Sequence, residues 1–345
     1  MAVFLLDHME DGNEYNSALD SLKENGNANN VDVVSEVRQA IADIASIRNR
    51  YCVCYVANVI NPLVENRIGL GNEDDLPFSS LQKHIPQDIN DIDIILVTPG
   101  GSAEIVDYQV GQLRSRFNTV SFILPYMAMS AGTIFCLSGD ELVMDDVAFF
   151  GPTDPQVVSK NGLLVPAQSL LTLISKIQER GQAKLGAGEE PDWTDIALLN
   201  NIDHKEIGNA LRASKLSKEL VTRYLKDYKF KDWVNHSGGG GAVTLDERKD
   251  RATEIAELLC DNSHWLSDAC RITRQRAEEE CFLQITYPEN TPGLQRAIKR
   301  FWALMHIIFE NSLIAKIYAS RDYFLIRQFQ QLTDAKATKN EKDQP

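Results

Sequence analysis

Three short stretches hold residue types that serve acyl chemistry: TPGG at 98–101, PYMAMSAGT at 125–133 and GPTDPQ at 151–156. Gly100 and Gly101 follow an apolar run. Lacking side chains, they let the backbone turn sharply and bring bare N–H groups up to a ligand, where such groups stabilise a developing oxyanion. An ordinary turn uses the same pair of residues. Ser130 stands where a strand gives way to a helix. There it serves as an N-cap or, with its hydroxyl turned outward, as a nucleophile. Small Ala131 and Gly132 leave room for an acyl group, and the Ala131 N–H is a second oxyanion donor. The G-x-S-x-G elbow is not matched, because position 128 is Ala.

A serine nucleophile needs a base. The histidines are His8, His84, His204, His236, His264 and His306, so any histidine partner that follows Ser130 comes from far along the chain. Asp154 precedes Pro155 on a Gly/Pro-fixed loop, where an aspartate often caps a turn. His264 follows a helical stretch at 245–260 and reads equally as a helix-end or surface histidine.

These residues need elements to hold them. Runs rich in β-branched and aromatic residues at 51–60, 92–97 and 120–124 predict buried strands, with shorter ones at 142–144 and 147–150. Helical patterns at 34–47, 79–84, 103–117 and 130–137 alternate with them, the spacing of a parallel α/β core. From about residue 166 the pattern turns helical, at 167–183, 204–226, 245–260, 273–282 and 292–320, with a surface loop at 186–191. Thr244 and Glu247 form a capping box. Ser237 and the glycines at 238–241 make the most flexible stretch, a candidate hinge for the segment bearing His264. The apolar positions of the final helix, among them Phe301, Trp302, Leu304, Met305 and Ile308, exceed one buried stripe and predict a subunit contact.

Composition sets the outer bounds. A chain of 345 residues with 43% apolar and 24% charged residues is globular, with one large domain or two. A net charge of −14 repels phosphate backbones, so nucleic acid is not an expected partner. The six cysteines form no CxxC pair, so neither a metal site nor a cofactor is expected, and the thiols read as free, as in the cytosol. The apolar runs at 120–137 and 301–317 are interrupted by polar residues and fall short of a membrane span. A cytoplasmic protein is expected.

TPGG, then PYMAMSAGT, then a DELVM strand and GPTDPQ, resembles the serine dehydrogenase proteinase family, a distant relative of the Clp proteolytic subunit and of signal-peptide peptidase A. The later His264 with Ile272, Thr273 and Ala277 is similar to the family's C-terminal pattern, although residues 265–271 are longer and bulkier than its usual turn. The likeness spans roughly residues 51–286. It implies an α/β, Clp/crotonase-like spiral of ββα units with a helical C-terminal extension. The expected division is an acidic N-terminal extension at 1–48, a peptidase domain at 49–290, a C-terminal helix in an oligomer contact at 291–330 and a disordered tail at 331–345.

The resemblance also implies a serine peptidase acting on polypeptides, with Ser130 as nucleophile, Asp154 as orienting acid and His264 as base. Gly100 and Ala131 would supply the oxyanion N–H groups, with Gly101 in the same turn. A homo-oligomer enclosing the site is expected, with possible peripheral attachment or gating by a partner. Relatives of signal-peptide peptidase A use a Ser/Lys dyad, for which Lys176 and Lys184 are candidates. A lysine base needs desolvation to lower its pKa. Two other classes stay open: a crotonase-type acyl-CoA enzyme sharing the oxyanion hole, and a catalytically silent interaction module.

Overall fold

The structure, a computed structural model, describes residues 16, 20, 32–236, 241–267 and 269–328. His8, the glycines at 238–240 expected to form a hinge, and the expected disordered tail at 331–345 lie outside the described residues, as does most of the N-terminal extension.

The core is one six-stranded sheet. Strands β1 (Tyr51–Ala57), β2 (Asp91–Val97), β3 (Thr119–Leu124) and β5 (Glu141–Met144) run parallel in that spatial order. Two more, β10 (Ile314–Ser320) and β11 (Phe324–Gln328), continue the sheet antiparallel beyond β1. Alternate residues of β1 and β2 enter different cores. Val53, Tyr55, Ile94 and Leu96 face one side, while Cys52, Cys54, Ile95 and Val97 face the other. A strand covered on both faces is apolar throughout, which is why these runs stand out in the sequence.

One face is covered by α2 (Asp75–Lys83), α3 (Ala103–Arg116), α4 (Ala131–Leu137), α7 (His204–Tyr224) and α8 (Leu245–Cys260). The other carries α1 (Val33–Arg48) and α11 (Leu294–Glu310). A smaller sheet joins β4 (Met127–Ala128), β6 (Phe149–Phe150) and β9 (Ile272–Thr273). A hairpin of β7 (Gln156–Val158) and β8 (Leu164–Pro166) leads into α5 (Ala167–Gly186), and α6 (Trp193–Asn201) follows. Short α9 (Asn262–Trp265) and α10 (Arg274–Glu279) lie between α8 and α11.

The parallel α/β core and its element order agree with the expectation from the sequence, and the Thr244–Glu247 capping box forms. The C-terminal region differs from it. The helix expected over 292–320 stops at Glu310, and residues 314–320 form a strand paired with β1. Asn311 and Ser312 break the helix, and IAKIYAS carries the β-branched and aromatic residues of a buried strand. Strands from both sides of residue 290 therefore share one sheet. The apolar excess of the final helix is also accounted for within the chain. Phe301, Leu304, Met305, Ile307, Ile308 and Phe309 are all buried against α1 and the sheet, so they are not free to form the expected subunit contact. The hairpin and α6 carried no sequence signal that was read as an element.

Candidate active site

Ser130 lies between β4 and α4 with φ 50° and ψ −116°. A non-glycine residue is rare there, and such a conformation persists only where its surroundings over-determine it. The surroundings do so. Thr98 donates its N–H to Met127 O at 3.0 Å, and Met129 donates back to Thr98 O at 3.0 Å. Buried Thr133 donates its hydroxyl to Ala128 O (2.9 Å) or Gly151 O (2.8 Å), and the Gly151 N–H reaches the same hydroxyl oxygen at 3.2 Å. A Cβ on Gly132 would run into the Thr98 methyl group. The result is a sharp strand-to-helix turn at Ser130, built without a glycine two residues before the serine. Ser130 is half-buried, and its side chain makes no capping bond to α4. The N-cap reading is thereby removed.

The glycine turn rests directly on this elbow. Gly100 has φ 99°, and a Cβ there would lie 2.6 Å from Met129 O and 2.9 Å from Ser130 Cβ. Gly101, at φ 147°, is pressed against the backbone of Leu70 in a parallel bridge. Leu70 donates to Gly100 O at 2.7 Å, and Ser102 donates to Leu70 O at 2.9 Å. The Gly100 N–H bonds Thr98 Oγ1 at 3.2 Å. The Ala131 N–H, first of α4, has no acceptor within its own helix.

Asp154 is buried, and its carboxylate receives the Gln168 N–H at 3.1 Å in the first turn of α5. It also receives the Asn262 side-chain amide at 3.4 Å. It thus has a capping role, whatever else it does. His264, in α9, has 40% of its side chain exposed and puts Nε2 2.9 Å from Glu280 Oε2. Glu280 also holds Arg276 at 2.5 Å, and these two partners pull its carboxyl down to about 2. Through Asn262, α9 lies beside Asp154, and Asp154 lies three residues beyond the Gly151 that Thr133 grips. The imidazole of His264, however, is turned to Glu280.

The lysines stand differently. Lys176 is exposed and lines a cavity of about 540 Å³ together with Asn262 and Ser263. Lys184 pairs with Asp192 at 3.1 Å. Sequence reasoning missed Glu280, Asn262, Thr133 and the Leu70 bridge. Thr133 is close enough in sequence to have been found, whereas the others reach the site only through tertiary packing.

Residues 79–186 match the family model of ClpP-like SDH-type serine proteinases; that span contains Gly100, Ser130 and Asp154 and ends before His264. Two uncharacterized proteins of Methanocaldococcus jannaschii are similar. One is 39% identical over 142 residues, covering 41% of this chain and 40% of the relative. The other is 32% identical over 177 residues, covering 48% and 53%. The chain therefore spans about half the length of the curated relatives it matches. Among solved structures, a mutant of the 1510-N membrane-bound stomatin-specific protease aligns with 14% identity and a TM-score of 0.34, over 63% of this chain and 74% of that one. A second mutant of that protease, in complex with a substrate peptide, aligns with 15% identity and a TM-score of 0.35, over 63% and 70%. Among the described residues of the present chain, no helix is long and apolar enough to cross a membrane. Through residues 79–186, which hold the glycine turn and the Ser130 turn, the chain is similar to the ClpP-like SDH-type serine proteinases.

Proposed function

We propose that this chain is a serine peptidase that cleaves polypeptides through an acyl-enzyme on Ser130. The observation that carries the reading is the strained, uncapped serine at φ 50° lying against the Gly100 turn. A hydroxyl held off its own helix is available for attack, and the family match spans it.

The reaction starts with Ser130 Oγ attacking the scissile carbonyl while a base takes its proton. The Ala131 N–H and an N–H of the glycine turn receive the oxyanion, each worth about 3 kcal/mol in comparable sites. Gly100 can serve only by giving up its bond to Thr98 Oγ1; the neighbouring Gly101 N–H is the alternative donor. We assign the base to His264 and its orientation to Asp154, with α9 shifting so that the imidazole leaves Glu280. The proton then passes from the imidazolium to the leaving amine, and water repeats the sequence to release the acyl group. Apo catalytic contacts are often open and tighten only with substrate.

A Ser/Lys dyad is the second reading. It is favoured by Lys176 sharing a cavity with the α9 residues Asn262 and Ser263. The exposure of Lys176 counts against it, since a lysine base needs desolvation. The test is intact-mass analysis after incubation with a fluorophosphonate. One adduct on the wild type and none on Ser130→Ala supports an activated serine. Loss of labelling in His264→Ala selects the triad, and loss in Lys176→Ala selects the dyad. No adduct on folded wild type rejects the peptidase reading and leaves an interaction module.

A further inference from the structure

A fully buried ion pair lies on the far side of the glycine turn from Ser130. Lys316, on β10, and Asp74, just before α2, are both without solvent exposure, and Lys316 Nζ is 2.6 and 2.8 Å from the two Asp74 oxygens. Tyr318 donates its hydroxyl to Asp74 Oδ1, and Tyr55 donates to Oδ2 at 3.3 Å. A buried pair of this kind seldom adds net stability, because desolvating both charges offsets their attraction. Its hydrogen bonds are directional, however, and two of them leave the pair for one loop. Lys316 Nζ donates to Gly69 O at 2.5 Å, and Asp74 Oδ2 receives the Gly71 N–H at 2.8 Å. The residue between those two anchors is Leu70, whose N–H and C=O bond Gly100 O and the Ser102 N–H on either side of Gly101.

We propose that Lys316 and Asp74 are positioning residues for the oxyanion turn: together they clamp both ends of the Gly69–Leu70–Gly71 loop, and Leu70 in turn fixes where the N–H groups of Gly100 and Gly101 point beside Ser130. This rests on the peptidase reading for its catalytic consequence but not for its geometry. Neither residue touches substrate. The turn is held between two surfaces, the Leu70 backbone and the Ser130 elbow, and Lys316 and Asp74 set the first of them. Without the clamp, the residues on both sides of Leu70 lose their anchors, and the surface against which Gly100 and Gly101 rest is free to shift.

The test compares the full chain with Asp74→Asn, which keeps the shape but weakens the clamp, and with the double variant Lys316→Met/Asp74→Leu, which removes both charges and so avoids leaving one buried alone. For both we expect an unchanged far-UV spectrum, a kcat on a nitrophenyl ester and a fluorophosphonate labelling rate at Ser130 each down about 10- to 100-fold, and a KM within about 3-fold of wild type. Amide exchange at Leu70 and Ser102 should speed up at least about 10-fold while Ile94 and Leu96 in β2 stay protected. Wild-type labelling rates in a folded variant overturn the proposal, as does unchanged exchange at Leu70 and Ser102. If wild type itself does not label, the peptidase reading fails, and the exchange measurement alone then decides the clamp.

Discussion

Ser130 and His264 belong to parts of the molecule with opposite construction. The Ser130 elbow is held from three directions: the Thr98 backbone ladder, the Thr133 hydroxyl and the glycine turn, with Ala131, Thr133 and Thr98 all buried. His264 sits in a one-turn helix of four residues, with 40% of its side chain exposed and Nε2 2.9 Å from Glu280 Oε2. Leu266, directly after that helix, has φ 62° and is 86% exposed. The proposed nucleophile and oxyanion donors are thus built into the core of the fold, whereas the candidate base is carried on a short segment anchored through Asn262 and buried Trp265, with the imidazole itself at the surface. On the proposed reading, the nucleophile is preformed and the base must be brought to it.

The sharpest break of this comparison is Ser130→Ala, which should lower turnover of an activated ester by about 10⁴-fold or more with no loss of stability; a smaller loss would remove the elbow from the chemistry. His264→Ala should cost about as much in turnover, because members of one catalytic unit are not additive. Its melting temperature should move little, given the exposure of the side chain, and a large fall would mean that α9 is structural. Gly100→Ala should cost about 1–3 kcal/mol in urea unfolding, since φ 99° is strained for alanine and the new methyl group meets Met129 O and Ser130 Cβ.

Two pH experiments give smaller effects, one in each half. Buried Asp145, whose Oδ1 lacks a hydrogen-bond partner, is held up at about 6 by burial and by Asp146. A carboxyl with a raised pKa contributes stability below its unfolded value near 4, and this is lost as the pH climbs through 6. Asp145→Asn should therefore stabilise the protein by about 1–2 kcal/mol at pH 8 and by nothing measurable at pH 3.5, read by urea unfolding. Glu280 has the opposite sign. Its carboxyl is lowered to about 2 by the bonds from Arg276 and His264, so its contribution is complete above about 4.5 and disappears as the pH falls through 2. Because water screens this pair, Glu280→Gln should cost less than about 1 kcal/mol at pH 7. A larger cost would mean that the His264 segment is as firmly held as the elbow.

The turn at Ser130 and the glycine pair at 100–101 stood out in the sequence because their residues are close together and chemically distinctive. A glycine pair after a continuous apolar strand, and a serine before two small residues, carry their constraints locally. The strands β1, β2 and β3 were legible because burial on both faces leaves an unbroken apolar run. Position 128 misled only a pattern match. A glycine there is one way to relieve a tight elbow, and in this chain Ala128 is accommodated while Gly132 and Gly151 make the room instead. The strand β10 was misread because IAKIYAS directly follows a strongly apolar helix. Its local pattern fits a strand, and the open edge of β1, which lies far away in sequence, supplies the partner.

Covalent order and residue type settled the elements of the α/β core and the net charge of −14 and singled out Ser130 with its small neighbours, since each depends on neighbours within a few positions or on a sum. Pairings across long separations were settled in space. Lys316 meets Asp74 under a glycine turn that neither adjoins in sequence, His264 pairs with Glu280, and Asp154 caps α5 while touching Asn262. The physical reason is that a buried charge or an open sheet edge takes whichever partner the packed chain brings within about 3 Å, and that partner is chosen by the fold as a whole.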